Sequence, residues 1–186
     1  MTKEDLRVQR TKKILKETFK TMLINLSYEK ITVKDLCEKS MINRRTFYLH
    51  YDSIDNLLED IQLDYTIEFY KIIKDYDFYY DIDKLTYEYF SFSEKNGLIF
   101  EKINTNPNFE YIRQQMVQKV KMYVQDDNNF KYFDKFDNYK KNIIISFIND
   151  STVSCYRSWI KDGRKISMEE AIELTTLLIK NGIKEL

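Results

Sequence analysis

Glycine and proline are almost missing from this chain, with 3 Gly and 1 Pro among 186 residues. Tight turns draw their special backbone angles largely from these two residues. Their scarcity argues against an all-β fold and favours long helices joined by few breaks. Histidine is rarer still, and His50 stands alone. One imidazole cannot build a Ser-His-Asp relay or a multi-histidine metal site. Gly97, Gly163 and Gly182 are too scattered for a phosphate-cradling loop. Acidic pairs such as Asp81/Asp83 and Asp126/Asp127 fall in what read as exposed loops, where solvated charge is the expected state. The chain is therefore not read as an enzyme, and no cofactor or metal is expected. The two cysteines, Cys37 and Cys155, are far apart and form no CxxC pair. Free thiols on the apolar sides of helices, in a reducing cytoplasm, fit that usage. No apolar run nears the roughly 20 residues needed to span a bilayer. The opening MTKEDLRVQRTKK has no apolar signal-peptide core. A cytoplasmic protein with no membrane partner is expected.

The chain does have an uneven charge distribution. Formal net charge is zero, yet residues 1–50 carry 12 Lys and Arg against 6 Asp and Glu, and residues 51–186 carry 18 against 24. A basic head on an acidic body suits a phosphate-facing segment attached to a part that does not meet nucleic acid; ordinary charge scatter is the alternative.

Apolar periodicity predicts helices throughout. The first runs from Lys3 to Asn25, with Thr2 as cap and Thr11, Ile14, Leu15, Thr18, Phe19, Met22, Leu23 and Leu26 as its inward stripe. Arg7, Arg10, Lys13 and Lys20 lie opposite, either reaching phosphates or forming a solvated face. A short second helix is capped by Thr32, with Asp35 three residues on. After the turn Ser40-Met41-Ile42, Asn43 caps a third helix. Phe47 and Tyr51 anchor that helix from below. Arg44, Arg45, Thr46, Tyr48, Leu49 and His50 remain on or near its outer face. Two short helices across a tight break have helix-turn-helix spacing. An arginine fork meets guanine O6 and N7 bidentately, and hydroxyls suit phosphate oxygens. By spacing alone, an ordinary basic surface helix fits equally well.

The run Met41-Ile42-Asn43-Arg44-Arg45-Thr46-Phe47-Tyr48-Leu49-His50-Tyr51, followed by Leu57-Leu58, resembles the recognition helix and next helix of the tetracycline-repressor (TetR) family. The resemblance covers about residues 7–62 and includes Ile31-Thr32-Val33-Lys34-Asp35-Leu36 upstream. It implies phosphate contacts from Thr32 and Lys34, groove-facing roles for Arg44, Arg45 and Thr46, and backbone grips from Tyr48 and His50. Two positions depart from the family pattern. The turn glycine is Met41 here, so either the turn relaxes or Met41 adopts a strained backbone. The lysine often found after the helix 4 cap is Ile54, so one phosphate contact is expected to be missing.

Ser53 caps a helix expected to reach Asp75, with Leu57, Leu58, Ile61, Tyr65, Phe69 and Ile72 inward. The aromatic segment Asp75–Asp83 breaks the periodicity, and its aromatics are expected to pack. Further helices are expected over Ile82–Lys95 and Leu98–Ile103. Another opens at Asn106-Pro107, with Phe109, Ile112, Met116, Val120, Tyr123 and Val124 as its stripe. Asn138–Lys161 ends at Asp162-Gly163, and a last helix, capped by Ser167 with Glu170, runs to about Lys180 with Gly182 just beyond. The Asn138–Lys161 segment is apolar on more than one face and so must be covered on most sides. The cover is either a partner subunit or the chain's own core. The first reading places Phe147, Ser151, Ser154, Cys155, Ser158 and Trp159, with Leu174, Leu177 and Leu178, at a dimer interface. SWIKDGRKISMEEAIELTTLLIKNGI resembles the last two helices of a Firmicute-type branch of the same family, where such helices form the four-helix dimer interface. That branch includes regulators related to dihydroxyacetone-kinase control.

Together these readings predict an all-α protein. Residues 1–52 form a three-helix helix-turn-helix DNA-binding domain, and 53–186 a helical ligand-binding and dimerisation domain, with helix 4 at 53–75 as connector. The expected function is that of a homodimeric, sequence-specific transcription regulator on a palindromic operator in double-stranded DNA. It is expected to be a repressor released by a small-molecule effector or protein partner. The alternative is a protein-interaction regulator or coactivator of the same fold, in which DNA contact is secondary.

Overall fold

The computed structural model describes residues 3–106, 109, 111 and 128–186. Among the described residues every regular element is a helix, so the fold is all-α as expected. In chain order these are α1 (Lys3–Asn25), a 3-10 turn (Tyr28–Lys30), α2 (Val33–Ser40), α3 (Arg44–Tyr48), α4 (Ile54–Ile73), α5 (Ile82–Thr105), a 3-10 stretch (Asn128–Lys135), α6 (Asn138–Lys161) and α7 (Met168–Ile183). The Thr2 cap lies outside the described residues, as does the helix expected after Pro107, apart from Phe109 and Tyr111.

The chain forms two compact units. The first comprises the described residues through Thr66 with those from Leu98 to Tyr111. Its core is the inward stripe of α1, namely Leu15, Phe19, Met22 and Leu23, against Leu36, Phe47, Leu57, Leu58 and Ile61. Ile14, expected inward, is exposed instead. Ile103 and Phe109 complete the core from far along the chain. Lys102 Nζ donates to the carbonyls of Leu23 at 2.9 Å and Ile24 at 2.7 Å. A cation on the open carbonyls at a helix C-terminus satisfies acceptors that have no partner within the helix.

The second unit comprises Ile67–Gly97 and the described residues from Asn128 onward. One of its clusters gathers Ile82, Phe133, Ile144, Ile148, Ile179 and Ile183. Another gathers Phe90, Tyr156, Trp159, Ile160 and Ala171. Phe78 and Tyr79 pack on the first, as expected of the aromatic segment, while Tyr80 is 67% exposed. Tyr156 Oη donates to Glu94 Oε1 at 2.9 Å, and Arg164 reaches the same oxygen at 3.0 Å. Burial, then that bond to Glu94, pushes the Tyr156 phenol far above its ordinary pKa.

Several boundaries differ from expectation for physical reasons. α4 stops at Ile73, and Ile73 rather than Ile72 turns inward. α5 is interrupted at Gly97, whose φ of 61° and ψ of −151° suit glycine alone, so the two expected segments meet there at a kink. α7 runs on to Ile183, which places Gly182 within the helix. A Cβ at Gly182 would lie 2.7 Å from Phe147 Cζ, so the missing side chain lets that ring settle on α7. The expected capping box is present. Glu170 N–H donates to Ser167 Oγ at 3.1 Å, and Ser167 N–H donates to Glu170 Oε2 at 2.8 Å.

Candidate nucleic-acid interface

α2 and α3 are too short to be stable alone, so side chains must fix their ends. At the start of α2, Thr32 Oγ1 accepts from Asp35 N–H at 3.2 Å and donates to Asp35 Oδ2 at 2.7 Å. Lys34 is exposed in the first turn. Leu36 and Cys37 are buried beneath, and burial raises the Cys37 thiol pKa against a lowering influence from Arg44.

Met41 decides the turn. Its φ is 54° and ψ 32°, in the left-handed region. Ile42 N–H donates to Cys37 O at 3.0 Å, and Met41 N–H to Glu38 O at 3.2 Å. These two bonds form a Schellman stop, a motif that usually holds glycine at the left-handed position. Of the two outcomes open from the sequence, the tight turn is kept and Met41 takes the strained backbone. Its side chain is 93% exposed and does nothing else for the unit. Ile42 turns inward and packs, partly buried, against the core.

Asn43 Oδ1 accepts from Arg45 N–H at 2.8 Å and starts α3. Phe47 is fully buried and Tyr51 nearly so, with ring centroids 5.9 Å apart. Arg44, Arg45 and Tyr48 are exposed, while Thr46 and His50 are half-buried. Leu49, at the C-terminal end, is 74% exposed. α3 thus presents two guanidinium groups, two hydroxyls and one aliphatic side chain over a buried aromatic anchor. Burial, then the nearby Lys12 ammonium, holds His50 below its ordinary pKa of 6.5. At neutral pH it offers a neutral N–H donor rather than a charge.

One cluster had no signature in the sequence. Asp60 Oδ2 on α4 accepts from Tyr51 Oη at 2.7 Å and pairs with Lys16 Nζ at 3.1 Å and Lys12 Nζ at 3.4 Å. Lys16 also pairs with Asp64 at 2.6 Å. Burial pushes the Asp60 carboxyl up, but the bonds from Tyr51 and Lys16 and the charges of Lys16 and Lys12 outweigh it, leaving the pKa below its ordinary value. Tyr51 moves far upward through burial and its bond to Asp60. A similar tie joins Tyr28 Oη to Asp55 at the start of α4. Such partners are separated by many residues and follow no helical spacing, so no periodicity marks them.

The residues expected at a dimer face separate into three groups. Phe147, Ser154 and Ser158 on α6 and Leu174, Leu177 and Leu178 on α7 are exposed, and Ile143 joins them at 71% exposure. Ser151 and Cys155 are half-buried. Trp159 is buried instead, packing on Phe90 and Tyr156 while its Nε1 donates to Ile166 O at 2.9 Å. The inward face of α6 is Ile144, Ile148, Thr152, Tyr156, Trp159 and Ile160. Its helix is therefore two-sided, with a core face and a separate exposed apolar face.

Among the described residues, no group of three or more His, Cys, Asp or Glu side chains could hold a metal. Nor is any helix among them long and apolar enough to cross a membrane.

No family model matches the chain. It is 28% identical over 102 residues to the dhaKLM operon transcriptional activator DhaS of Lactococcus lactis, a match spanning 54% of this chain and 53% of that protein. It is thus aligned to about half the length of this curated relative. A TetR transcriptional regulator from Streptococcus agalactiae superposes with a TM-score of 0.66 at 18% identity, covering 95% of this chain and 97% of the other. The solved dihydroxyacetone kinase operon activator DhaS superposes with a TM-score of 0.54 at 22% identity, again covering 95% and 97%. A TetR-family regulator from Streptomyces coelicolor gives 0.56 at 13% identity, covering 93% and 78%. With a Schellman-stopped α2, an Asn-capped α3 and superposition of more than nine-tenths of the chain on these regulators, the chain has the fold of the TetR-family transcription regulators.

Proposed function

We propose that this protein is a TetR-family regulator that binds double-stranded DNA as a homodimer. The observation that carries the reading is α3 itself. It exposes Arg44, Arg45 and Tyr48 above a buried Phe47, immediately after a helix-turn-helix break. In this reading Arg44, Arg45 and Thr46 face the major groove, while Thr32, Lys34, Tyr48 and His50 hold phosphates. Leu49 adds an apolar surface of the kind that meets a thymine methyl. Residues 1–52 act as the DNA-binding domain and 53–186 as the regulatory and dimerisation domain. The exposed apolar and small residues of α6 and α7 supply the self-complementary patch that a two-fold dimer requires. Two copies then read a palindrome through half-sites one helical turn apart, about 34–36 Å.

For the direction of control, the proposal is a repressor that leaves DNA when an effector or partner binds the remainder of the chain and prefers the unbound conformation. A second reading has a specific observation in its favour. The relatives named DhaS are operon activators. Under it, the protein keeps the same fold and acts through a protein partner as an activator or coactivator, with DNA contact secondary.

The test is selection of bound duplexes from a random pool by the purified chain, with Tyr48→Ala in parallel. The expected result is a palindrome enriched by wild type and not by the variant. It should be bound about 10³-fold or more above random DNA, with affinity falling steeply as salt rises. Equal, weak binding to every duplex would remove the sequence-specific reading and favour the partner-dependent one.

A further inference from the structure

α3 spans five residues, too few to hold its own orientation. Phe47 seats it on the core, but apolar burial is non-directional and leaves rotation about the contact weakly defined. The directional contact comes just after the helix. Tyr51 N–H donates to Phe47 O at 3.0 Å, which ties Tyr51 to the last turn. The Tyr51 ring is buried, and its Oη donates to Asp60 Oδ2 at 2.7 Å. A buried phenol needs such a partner, and a hydrogen bond loses strength steeply once misaligned. The same carboxylate oxygen takes Lys16 Nζ and Lys12 Nζ from α1. Lys16 also donates to Asp60 O at 3.3 Å, and the Lys12 ammonium lies 5.1 Å from the centroid of the Tyr51 ring. Elements α1, α4 and the exit of α3 therefore converge on one side chain.

We infer that Asp60 is a positioning residue for DNA recognition, one that touches no nucleotide but, through Tyr51, fixes the rotation of α3 and so the aim of Arg44, Arg45 and Tyr48. The inference rests on the DNA-binding reading above. Two ammonium groups hold the carboxylate, so it cannot swing freely with Tyr51. The tie is charge-assisted, the class of hydrogen bond that is shorter and stronger than a neutral pair. Sequence-specific contacts depend on that aim, whereas attraction of the basic surface to phosphates does not.

The experiment compares wild type, Tyr51→Phe and Asp60→Asn in the full chain. Tyr51→Phe deletes only the hydroxyl. Asp60→Asn keeps an acceptor for Tyr51 but loses the charge that holds the two lysines. Two readouts are taken at a temperature where all three are folded. One is the ratio of affinity for the selected palindrome over a random duplex. The other is amide hydrogen exchange at Leu49, His50 and Tyr51, with Leu36 and Cys37 of α2 as internal reference. Tyr51→Phe is expected to lower the ratio about tenfold, with random-duplex affinity retained and exchange raised at 49–51 only. Asp60→Asn should fall between it and wild type. An unchanged ratio, or exchange that rises equally in α2 and α3, overturns the inference, because a merely structural bond would act on the whole unit. If wild type prefers no duplex, the DNA-binding reading fails separately. Exchange then decides alone. A rise confined to 49–51 retains the tie as what orients α3, and no change at 49–51 overturns it.

Discussion

Replacing Met41 with glycine is expected to stabilise the helix-turn-helix unit. Met41 sits at φ 54° with its side chain 93% exposed, so truncation forfeits almost no packing. An L-residue in the left-handed region costs roughly 1–2 kcal/mol, which glycine avoids. Against this, glycine gives the unfolded chain more freedom, worth about 0.5–1 kcal/mol. The net gain lies between about 0 and 1.5 kcal/mol, with a midpoint of about 0.75 kcal/mol. The Schellman bonds from Ile42 and Met41 use backbone atoms only and survive the change. Met41→Ala is the decisive control. It keeps the Cβ that creates the strain and loses the same exposed atoms, so it should gain nothing. The assay is urea unfolding followed by far-ultraviolet circular dichroism. It is paired with hydrogen exchange across residues 36–47, because a chain of two compact units need not unfold in one step. Gains that are equal for glycine and alanine would mean that the exposed side chain, not the backbone angle, was the liability. A loss with glycine would mean that the turn is not left-handed in solution.

Three further outcomes are expected. Arg45→Ala should weaken binding to the selected palindrome by about 1–3 kcal/mol and relax preference at one base pair per half-site; equal loss on random DNA in gel-shift titrations would assign Arg45 to phosphate instead. Leu177→Asp and Ser154→Arg should each give folded monomers in sedimentation. Trp159→Asp should instead unfold the second unit, because Trp159 is packed on Phe90 and Tyr156. Dimers that persist in both surface variants would remove the exposed face of α6 and α7 from the interface. The last concerns acid. Asp60 titrates below its ordinary value of 3.8 in the folded state, with Tyr51, Lys16 and Lys12 holding the carboxylate and Asp64 sharing Lys16. A depressed folded pKa gives stability that is complete above the unfolded value and lost as pH falls through the folded one. The stability difference between wild type and Asp60→Asn should therefore be constant from pH 7 to about 5 and shrink below about 4. A difference that grows toward low pH would refute the assignment of the ionised form.

Much of this molecule was legible from local rules. Steps of three and four placed Leu15, Phe19, Met22 and Leu23 in the core. Short polar side chains before helical runs marked the caps at Thr32, Asn43 and Ser167, because a cap is a contact between residues three or fewer apart. The outward residues of α3 followed from Phe47 and Tyr51 facing in. What the sequence left open was which of two locally permitted states would hold. Only the fold decided that Met41 keeps a left-handed turn, since the surrounding core holds Leu36, Cys37, Ile42 and Phe47 in place and the strain falls on an exposed residue. Only the fold separated the two apolar faces of α6, sending Trp159 inward and leaving Ile143 and Phe147 outside, because periodicity reports that a face is apolar and not what covers it. The meeting of Tyr51, Asp60, Lys12 and Lys16 is likewise a tertiary fact. Ion pairs and hydrogen bonds between different elements depend on packing, and packing leaves no period in the chain.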